Sequence, residues 1–320
     1  MSDKFTPDVV TVTLNPAIDL TVTVDHFVLG RVQRASAAVS TCGGKGVNVA
    51  GCLADWGARV AATGVLGRSN DGAFDEFFAH KGIEDWFLRT LGETRTNIKI
   101  ADLASGETTD VNLPGLTVTH EAIDAMRATL LRAFVSGLPV VLAGSLPESV
   151  APTTWATLAV DLARQGARVV LDTSGAPLAK ALASGAQIAA VKPNRSELEA
   201  LVGHALPTTS NVVAAARSLV ERGVGLVVVS LGAEGALFVD QKTVLAASLP
   251  AKAALSTVGA GDAMVAGMVA GLIEGAPLER LARLAVAFAA SKLDRIGPHL
   301  GPNEDVERLA AAVRVTAQAN

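Results

Sequence analysis

From Leu138 onward, short β-branched runs alternate with longer Ala- and Leu-rich stretches. LPVVLAG at 138–144 precedes a helical pattern over Pro152–Gln165, ARVVLDTS at 167–174 precedes another, and QIAAVKPN at 187–194 runs into RSELEALV. A helical pattern over Asn211–Arg222, the strand GLVVVSLG, and helix-like segments over Gly261–Glu274, Leu278–Lys292 and Glu304–Val315 follow. This order predicts successive βαβ units. Because the strands are apolar on both faces, they predict a mainly parallel sheet covered by helices on both sides.

Two stretches break the rhythm, Ile18–Thr41 and Arg95–Leu113. LTVTVDHFV, TNIKIAD and TTDVNL alternate apolar with polar positions, the pattern of strands with one wet face. They predict a small separate sheet, and because they flank a helix expected over Val47–Trp56, it would be built from two insertions. The expected division is a core of residues 1–17, 42–94 and 114–320 and a β-sheet lid of 18–41 and 95–113, placed to cover a cleft. The lid's second face, with Val22, Val24, Ile98 and Ile100, would be left exposed, so a homodimer through the lid is expected.

Composition narrows the function classes. The 320 residues are half apolar and 18% charged, which excludes a disordered chain. A net charge of -4 and a pI near 5.8 give no basic surplus for nucleic acid. Mean hydropathy is +0.39, yet the densest apolar run, Ala263–Ile273, falls short of the ~20 residues of a spanning helix and reads as a buried helix. No membrane partner is expected. The N-terminal MSDKFTPDVVTVTL lacks the basic and apolar blocks of an export signal, and Cys42 and Cys52 make no disulfide framework, so a reducing cytoplasm fits.

Standard signatures for P-loops, dinucleotide folds and serine hydrolases are absent, and no histidine or cysteine spacing suits zinc. Glycine clusters carry the positive signal. CGGKGVNVA at 42–50 opens a helix with consecutive glycines and a lysine, which suits close approach to an anionic or hydroxylated ligand, or simply a tight turn. STVGAGDAMVAGMVAGL at 256–272 is more specific. Gly259, Ala260 and Gly261 let backbone N–H groups converge into an anion hole at the head of an apolar helix. Asp262 in its first turn suits a general base beside a phosphoryl-transfer site, though a carboxylate that merely complements the helix dipole would sit there too.

Other loops stand at strand ends, where open α/β sheets bind ligands. Asn194 and Glu197 lie three apart, which fits either ligand contact or a capping box. VVVSLGAEGAL offers Ser230, Gly232 and Gly235, either for wrapping a polyphosphate or for a plain hairpin turn. In RTNIK, period two puts Arg95, Asn97 and Lys99 on one face, which is either solvated or equipped for a substrate phosphate.

TLNPAID at 13–19, GGKGVNVA at 43–50, TRTNIK at 94–99, GSLP at 144–147, KPNRSELE, SLGAEGAL and STVGAGDAMV together resemble the ribokinase-like PfkB sugar kinases, over nearly the whole chain. The resemblance implies a ribokinase-like three-layer core and transfer of the ATP γ-phosphoryl group to the C6 hydroxyl of fructose 1-phosphate, with Mg²⁺. It implies Asp262 as catalytic base, touching both substrates, with Gly259, Ala260 and Gly261 as its anion hole. The loop of Ser230, Leu231, Gly232, Ala233, Glu234 and Gly235 would hold ATP with Gly261 and Asp262, and Lys192 and Asn194 would stand near the phosphates. Glu197 would meet Mg²⁺ through water. Asp19, Gly43, Gly44 and Asn48 would contact sugar hydroxyls, while Lys45, Arg95, Lys99 and Ser145 would form the phosphate end. GPHLGPNEDV at 297–306 departs from the family's tails. The rival readings are a tagatose-6-phosphate kinase or 6-phosphofructokinase of the same family, a non-catalytic sugar-phosphate sensor, and an NAD-linked oxidoreductase, the last opposed by the missing G-x-G-x-x-G.

Overall fold

The computed structural model describes residues 5–133, 135–250, 258–295 and 297–318. Ser256 and Thr257 of the glycine motif lie outside the described residues. In chain order the elements begin with β1 (Val9–Thr13), β2 (Ala17–Val24), β3 (Ala37–Gly43), α1 (Lys45–Trp56), β4 (Val60–Gly67), α2 (Gly72–Lys81), β5 (Glu84–Asp85) and β6 (Leu88–Thr90). Then come β7 (Thr96–Asp102), β8 (Thr108–Val111), α3 (His120–Ala133), β9 (Pro139–Ala143), α4 (Thr154–Arg164), β10 (Arg168–Asp172), α5 (Gly175–Leu182), β11 (Ile188–Val191), α6 (Arg195–Val202) and α7 (Thr209–Glu221). The chain finishes with β12 (Val224–Ser230), β13 (Ala236–Asp240), β14 (Val244–Ser248), α8 (Ala260–Ile273), α9 (Leu278–Lys292), α10 (Asn303–Ala312) and β15 (Arg314–Ala317).

The large sheet has the order β15-β14-β13-β12-β11-β10-β9-β1-β4-β5, with β6 also on β4. From β12 to β5 every pairing is parallel, and from β12 to β15 every pairing is antiparallel. Successive strand residues face opposite sides. Val9, Val141, Val170 and Val228 pack with α1, α2, α8, α9 and α10 on one side, and Val10, Val140, Val169 and Val227 pack with α3 to α7 on the other. The predicted α/β sandwich of three layers is therefore what forms, and the double-sided apolar strands are its cause.

A second sheet runs β3-β2-β7-β8, with β2 and β7 parallel and both outer pairs antiparallel. Its strands are those whose alternation marked them as half-wet. Val24, expected on an exposed face, is buried within the chain, whereas Val22, Ile98 and Ile100 are half-buried.

The C-terminal helix ends earlier than its pattern suggested. It stops at Ala312; Val313 turns extended, and Arg314–Ala317 pairs with β14 as an edge strand. Val-Arg-Val-Thr favours a strand wherever a sheet edge is free to accept it.

The apolar run at 263–273 forms most of α8, which is buried around its whole circumference between the sheet and its neighbours. Among the described residues no helix is long and apolar enough to cross a membrane. Two glycines let α8 lie against α9 backbone to backbone: a Cβ on Gly267 would stand 2.5 Å from the carbonyl oxygen of Leu284, and one on Gly271 would stand 2.9 Å from the Cα of Leu281. Gly267→Ala should therefore destabilise the fold by about 1–3 kcal/mol through overpacking, outweighing the ~1 kcal/mol that alanine ordinarily gains over glycine in a helix. A thermal midpoint at or above wild type would show that the helices do not meet this closely.

Candidate active site

The ends of the central parallel strands assemble one cluster. Asn15 follows β1, Ser145 follows β9, Asp172 ends β10, Lys192 and Asn194 follow β11, and Ser230 ends β12. This is the edge of an open α/β sheet where ligand sites form. The head of α8 and the start of α1 close over it.

Gly259, with φ 79°, is the left-handed residue that opens α8, and Ala260, Gly261 and Asp262 form the first turn. Asp262 is 8% exposed, and its Oδ2 accepts a hydrogen bond from Asn48 Nδ2 at 2.7 Å. Burial and the nearby charge of Asp172 raise its carboxyl pKa from 3.8 to about 6, against the opposing effects of Lys45, the Asn48 hydrogen bond and Lys192. A lone carboxylate whose role was only to offset the helix dipole would have no need of this burial.

Asp172 was missed by sequence reasoning. It is fully buried; Lys45 Nζ lies 3.1 Å and Lys192 Nζ 3.5 Å from its Oδ1, while its Oδ2 has no partner. A polar residue closing the apolar run ARVVLD was the only signal for it. Lys45, expected with the sugar-phosphate group, is seated here beside Lys192, because it begins α1 and reaches the end of β10. Burial works to lower the Lys45 pKa, but Asp172, Asp262 and Glu197 together raise it. Lys192 also approaches the glycine loop, its Nζ 3.5 Å from where a Cβ on Gly261 would stand.

Asn194 and Glu197 do form a capping box: each side chain accepts the other's backbone N–H. The hairpin reading of the SLGAEG loop also holds, since Gly232–Glu234 is a single 3₁₀ turn between β12 and β13. Gly235 is required there, because its φ is 93° and a Cβ would stand 2.2 Å from the Ala247 carbonyl oxygen. These two loops touch. Ser230 N–H donates to the Pro193 carbonyl, and Asn194 and Ser230 form a parallel bridge. Leu231 and Ala233 continue the turn, and Glu234 lies 3.8 Å from Arg195.

On the other side, Asp19 of β2 is in register with Asn97 of β7. Asn97 Nδ2 donates to Asp19 Oδ1 at 3.1 Å, and Lys99 lies 3.8 Å from Asp19 and 3.4 Å from Asp110. Gly43 leaves room for this carboxylate, since a Cβ would stand 2.5 Å from Asp19 Oδ2, and Gly44 adopts φ 106° to start α1. A cavity of about 150 Å³ lies between the small sheet and the core, lined by Asp19, Asn48, Lys99, Gly259, Lys292 and Gly297 among others.

Arg95 does not line this cavity. It precedes β7, and its guanidinium donates to the carbonyls of Asn15, Pro16 and Leu113 at 3.1, 3.4 and 3.2 Å. Ser145 belongs to the same corner, accepting a hydrogen bond from Asn15 Nδ2 at 3.1 Å.

A cleft between a three-layer α/β core and a small sheet, with a glycine turn heading an apolar helix, a buried carboxylate and lysines at the strand ends, fits a phosphoryl-transfer enzyme of the sugar-kinase type. The model of the pfkB family of carbohydrate kinases matches residues 12–305, and the chain belongs to that family. It is 49% identical to a 1-phosphofructokinase of Xanthomonas campestris, over 96% of this chain and 98% of the relative. It is 46% identical to a 1-phosphofructokinase of Rhodobacter capsulatus, over 96% and 97%. Phosphofructokinase-2 of Escherichia coli, solved with fructose-6-phosphate, superimposes with a TM-score of 0.88 at 31% identity, covering 95% of this chain and 98% of the other.

The raised pKa makes a stability prediction. Folding favours the neutral form of Asp262, so the folded state loses stability relative to an uncharged side chain as pH climbs from about 4 past about 6. Asp262→Asn should be the more stable protein at pH 8, by on the order of 3 kcal/mol, with the difference gone near pH 4. A dipole-complementing aspartate predicts the reverse, a loss of about 0.3–1 kcal/mol. Thermal melts of both proteins across pH distinguish the two.

Proposed function

We propose that the chain transfers the γ-phosphoryl group of ATP to the C6 hydroxyl of fructose 1-phosphate, giving fructose 1,6-bisphosphate and ADP. The observation that carries this reading is the buried Asp262 carboxylate in the first turn after Gly259, held by Asn48, with Asn48 and Gly259 themselves lining the cavity beneath the small sheet. Its identity to curated 1-phosphofructokinases supports fructose 1-phosphate over the other sugar phosphates.

In this reading Asp262 takes the proton of the C6 hydroxyl as the oxygen attacks, and its raised pKa brings it nearer the working pH. Backbone N–H groups of Gly259, Ala260 and Gly261 receive the transferring phosphoryl oxygens. The joined KPN and SLGAEG loops hold the nucleotide, Lys192 and Asn194 at its phosphates and Ser230 to Gly235 around it. Asp19, Gly43, Gly44 and Asn48 hold the sugar hydroxyls. Lys99 and Ser145 form the sugar-phosphate end, and Arg95 contributes the two of its five N–H groups that its three carbonyl partners leave over. Lys45, held on Asp172, stands between the two substrates.

Mg²⁺ fits this donor set. Glu197 commits one oxygen to the Asn194 N–H and keeps the other for a water, which suits an ion carried mainly by substrate phosphates. When bound, it neutralises phosphate charge. The segments 18–41 and 95–113 act as a lid on a core of 1–17, 42–94 and 114–320. The free thiols Cys42 and Cys52 fit a cytoplasmic setting.

ADP release measured across fructose 1-phosphate, fructose 6-phosphate and tagatose 6-phosphate should give the highest kcat/KM with fructose 1-phosphate; a higher value with either other sugar overturns the substrate assignment. Asp262→Asn should lower kcat by ~10²–10⁴ with both substrates still bound. Wild-type kcat/KM should fall on the acid side of about pH 6 as Asp262 takes up its proton. An Asn variant within threefold of wild type removes Asp262 from the chemistry.

The outer face of the small sheet supports a homodimer, with half-buried Val22, Ile98 and Ile100 and the exposed Val111. Light scattering at micromolar concentration should give twice the 32.6 kDa chain mass; a fully active monomer rules the dimer out.

A further inference from the structure

Lys292, in the last turn of α9, has no part in the roles assigned above. It is 3% exposed, yet it lines the cavity beneath the small sheet together with Gly259 and Lys99. Its Nζ donates to the Arg295 carbonyl at 2.7 Å, and among the described residues no carboxylate pairs with it. Burial lowers the pKa of this ammonium, and Asp262 is among the groups that oppose the shift.

An ammonium taken out of water without a counter-charge is expensive, whereas a neutral amide could satisfy the Arg295 carbonyl at far lower cost. The location accounts for the charge. Lys292 Cε lies 3.4 Å from where a Cβ on Gly259 would stand, so its stem packs against the residue that opens the anion hole. Lys192 stands at Gly261, and Lys292 stands at Gly259. The loop is thus bracketed by two ammonium groups, one engaged with Asp172 and one without a carboxylate partner.

We propose that Lys292 is a positioning residue for phosphoryl transfer: a resident positive charge behind Gly259 that holds the loop and strengthens its field where negative charge accumulates on the transferring group. The inference rests on the kinase reading. Charge that is already in place when the transition state forms acts on kcat more than on substrate binding.

Lys292→Gln keeps a donor for the Arg295 carbonyl and removes the charge, and Lys292→Arg keeps the charge. Both are assayed with the sugar phosphate that wild type turns over, alongside thermal melts, in ammonium chloride and in sodium chloride at equal ionic strength. The Gln variant should lose roughly 10- to 100-fold in kcat, with both KM values within about threefold. Ammonium, the departed group's small counterpart, should restore turnover in the Gln variant and leave wild type unchanged, and the Arg variant should stay closer to wild type than Gln does. A folded Gln variant within twofold of wild-type kcat, or a loss that neither ammonium nor arginine repairs, reduces Lys292 to a cap on Arg295 and overturns the proposal. If the Gln variant does not fold, Lys292→Met, which fills the stem's volume, is judged by the same criteria. Absence of turnover by wild type on every sugar phosphate would sink the kinase reading as well; an active wild type beside an equally active Gln variant sinks this inference alone.

Discussion

The carboxylate of Asp172 has no solvent access and holds two ammonium groups, and most of the site depends on that arrangement. A buried carboxylate stripped of its partners costs several kcal/mol, so folding is bound to bring the start of α1 and the loop after β11 to the end of β10. Lys45 arrives with Asn48 one turn behind it, and Lys192 arrives with Asn194 and the bridge to Ser230. One charge cluster therefore places the glycine-rich start of α1 and the loop after β11 relative to each other. It also acts on Asp262, whose pKa the Asp172 charge helps to raise.

The α/β rhythm is readable in the chain because strands buried on both faces must be apolar at every position, and such runs stand out from amphipathic helices. The pattern over Leu278–Lys292 matches its helix to both ends. The half-wet alternation of the small sheet is equally plain. Residues 313–316 are not, since Val-Arg-Val-Thr continues a helical stripe or an alternating strand equally well, and only the free edge of β14 decides between them. Asp172 looks like an ordinary strand terminus because Lys45, its partner, is 127 residues away. Lys292 looks like a basic residue complementing the end of a helix, and only the fold reveals that the cavity lies above it. Period two assigns Arg95 to a strand face, but β7 begins one residue later.

Local and functional readings of the same motif do not exclude each other. Gly43 and Gly44 make the tight start of α1, and the space that Gly43 leaves is filled by the Asp19 carboxylate. Asn194 and Glu197 cap α6, and Asn194 still bridges to Ser230 of the neighbouring loop. A motif placed at the carboxyl end of a strand satisfies its backbone first, and the groups left over are those a ligand meets.

The three carbonyls that Arg95 grips mark where the chain crosses between the two sheets. Asn15 and Pro16 lead into β2, Arg95 itself leads into β7, and Leu113 follows the last residue pairs of β8. One guanidinium thus pins three of the strands' crossing points together. Any rotation of the small sheet over the core must pivot about this pin or break it, which makes the far edge, at the β2–β3 and β7–β8 connections, the part that sweeps the widest arc. A rotation so constrained would be hinged at one corner, like a page turning on its spine, and would open the cavity from the edge inward.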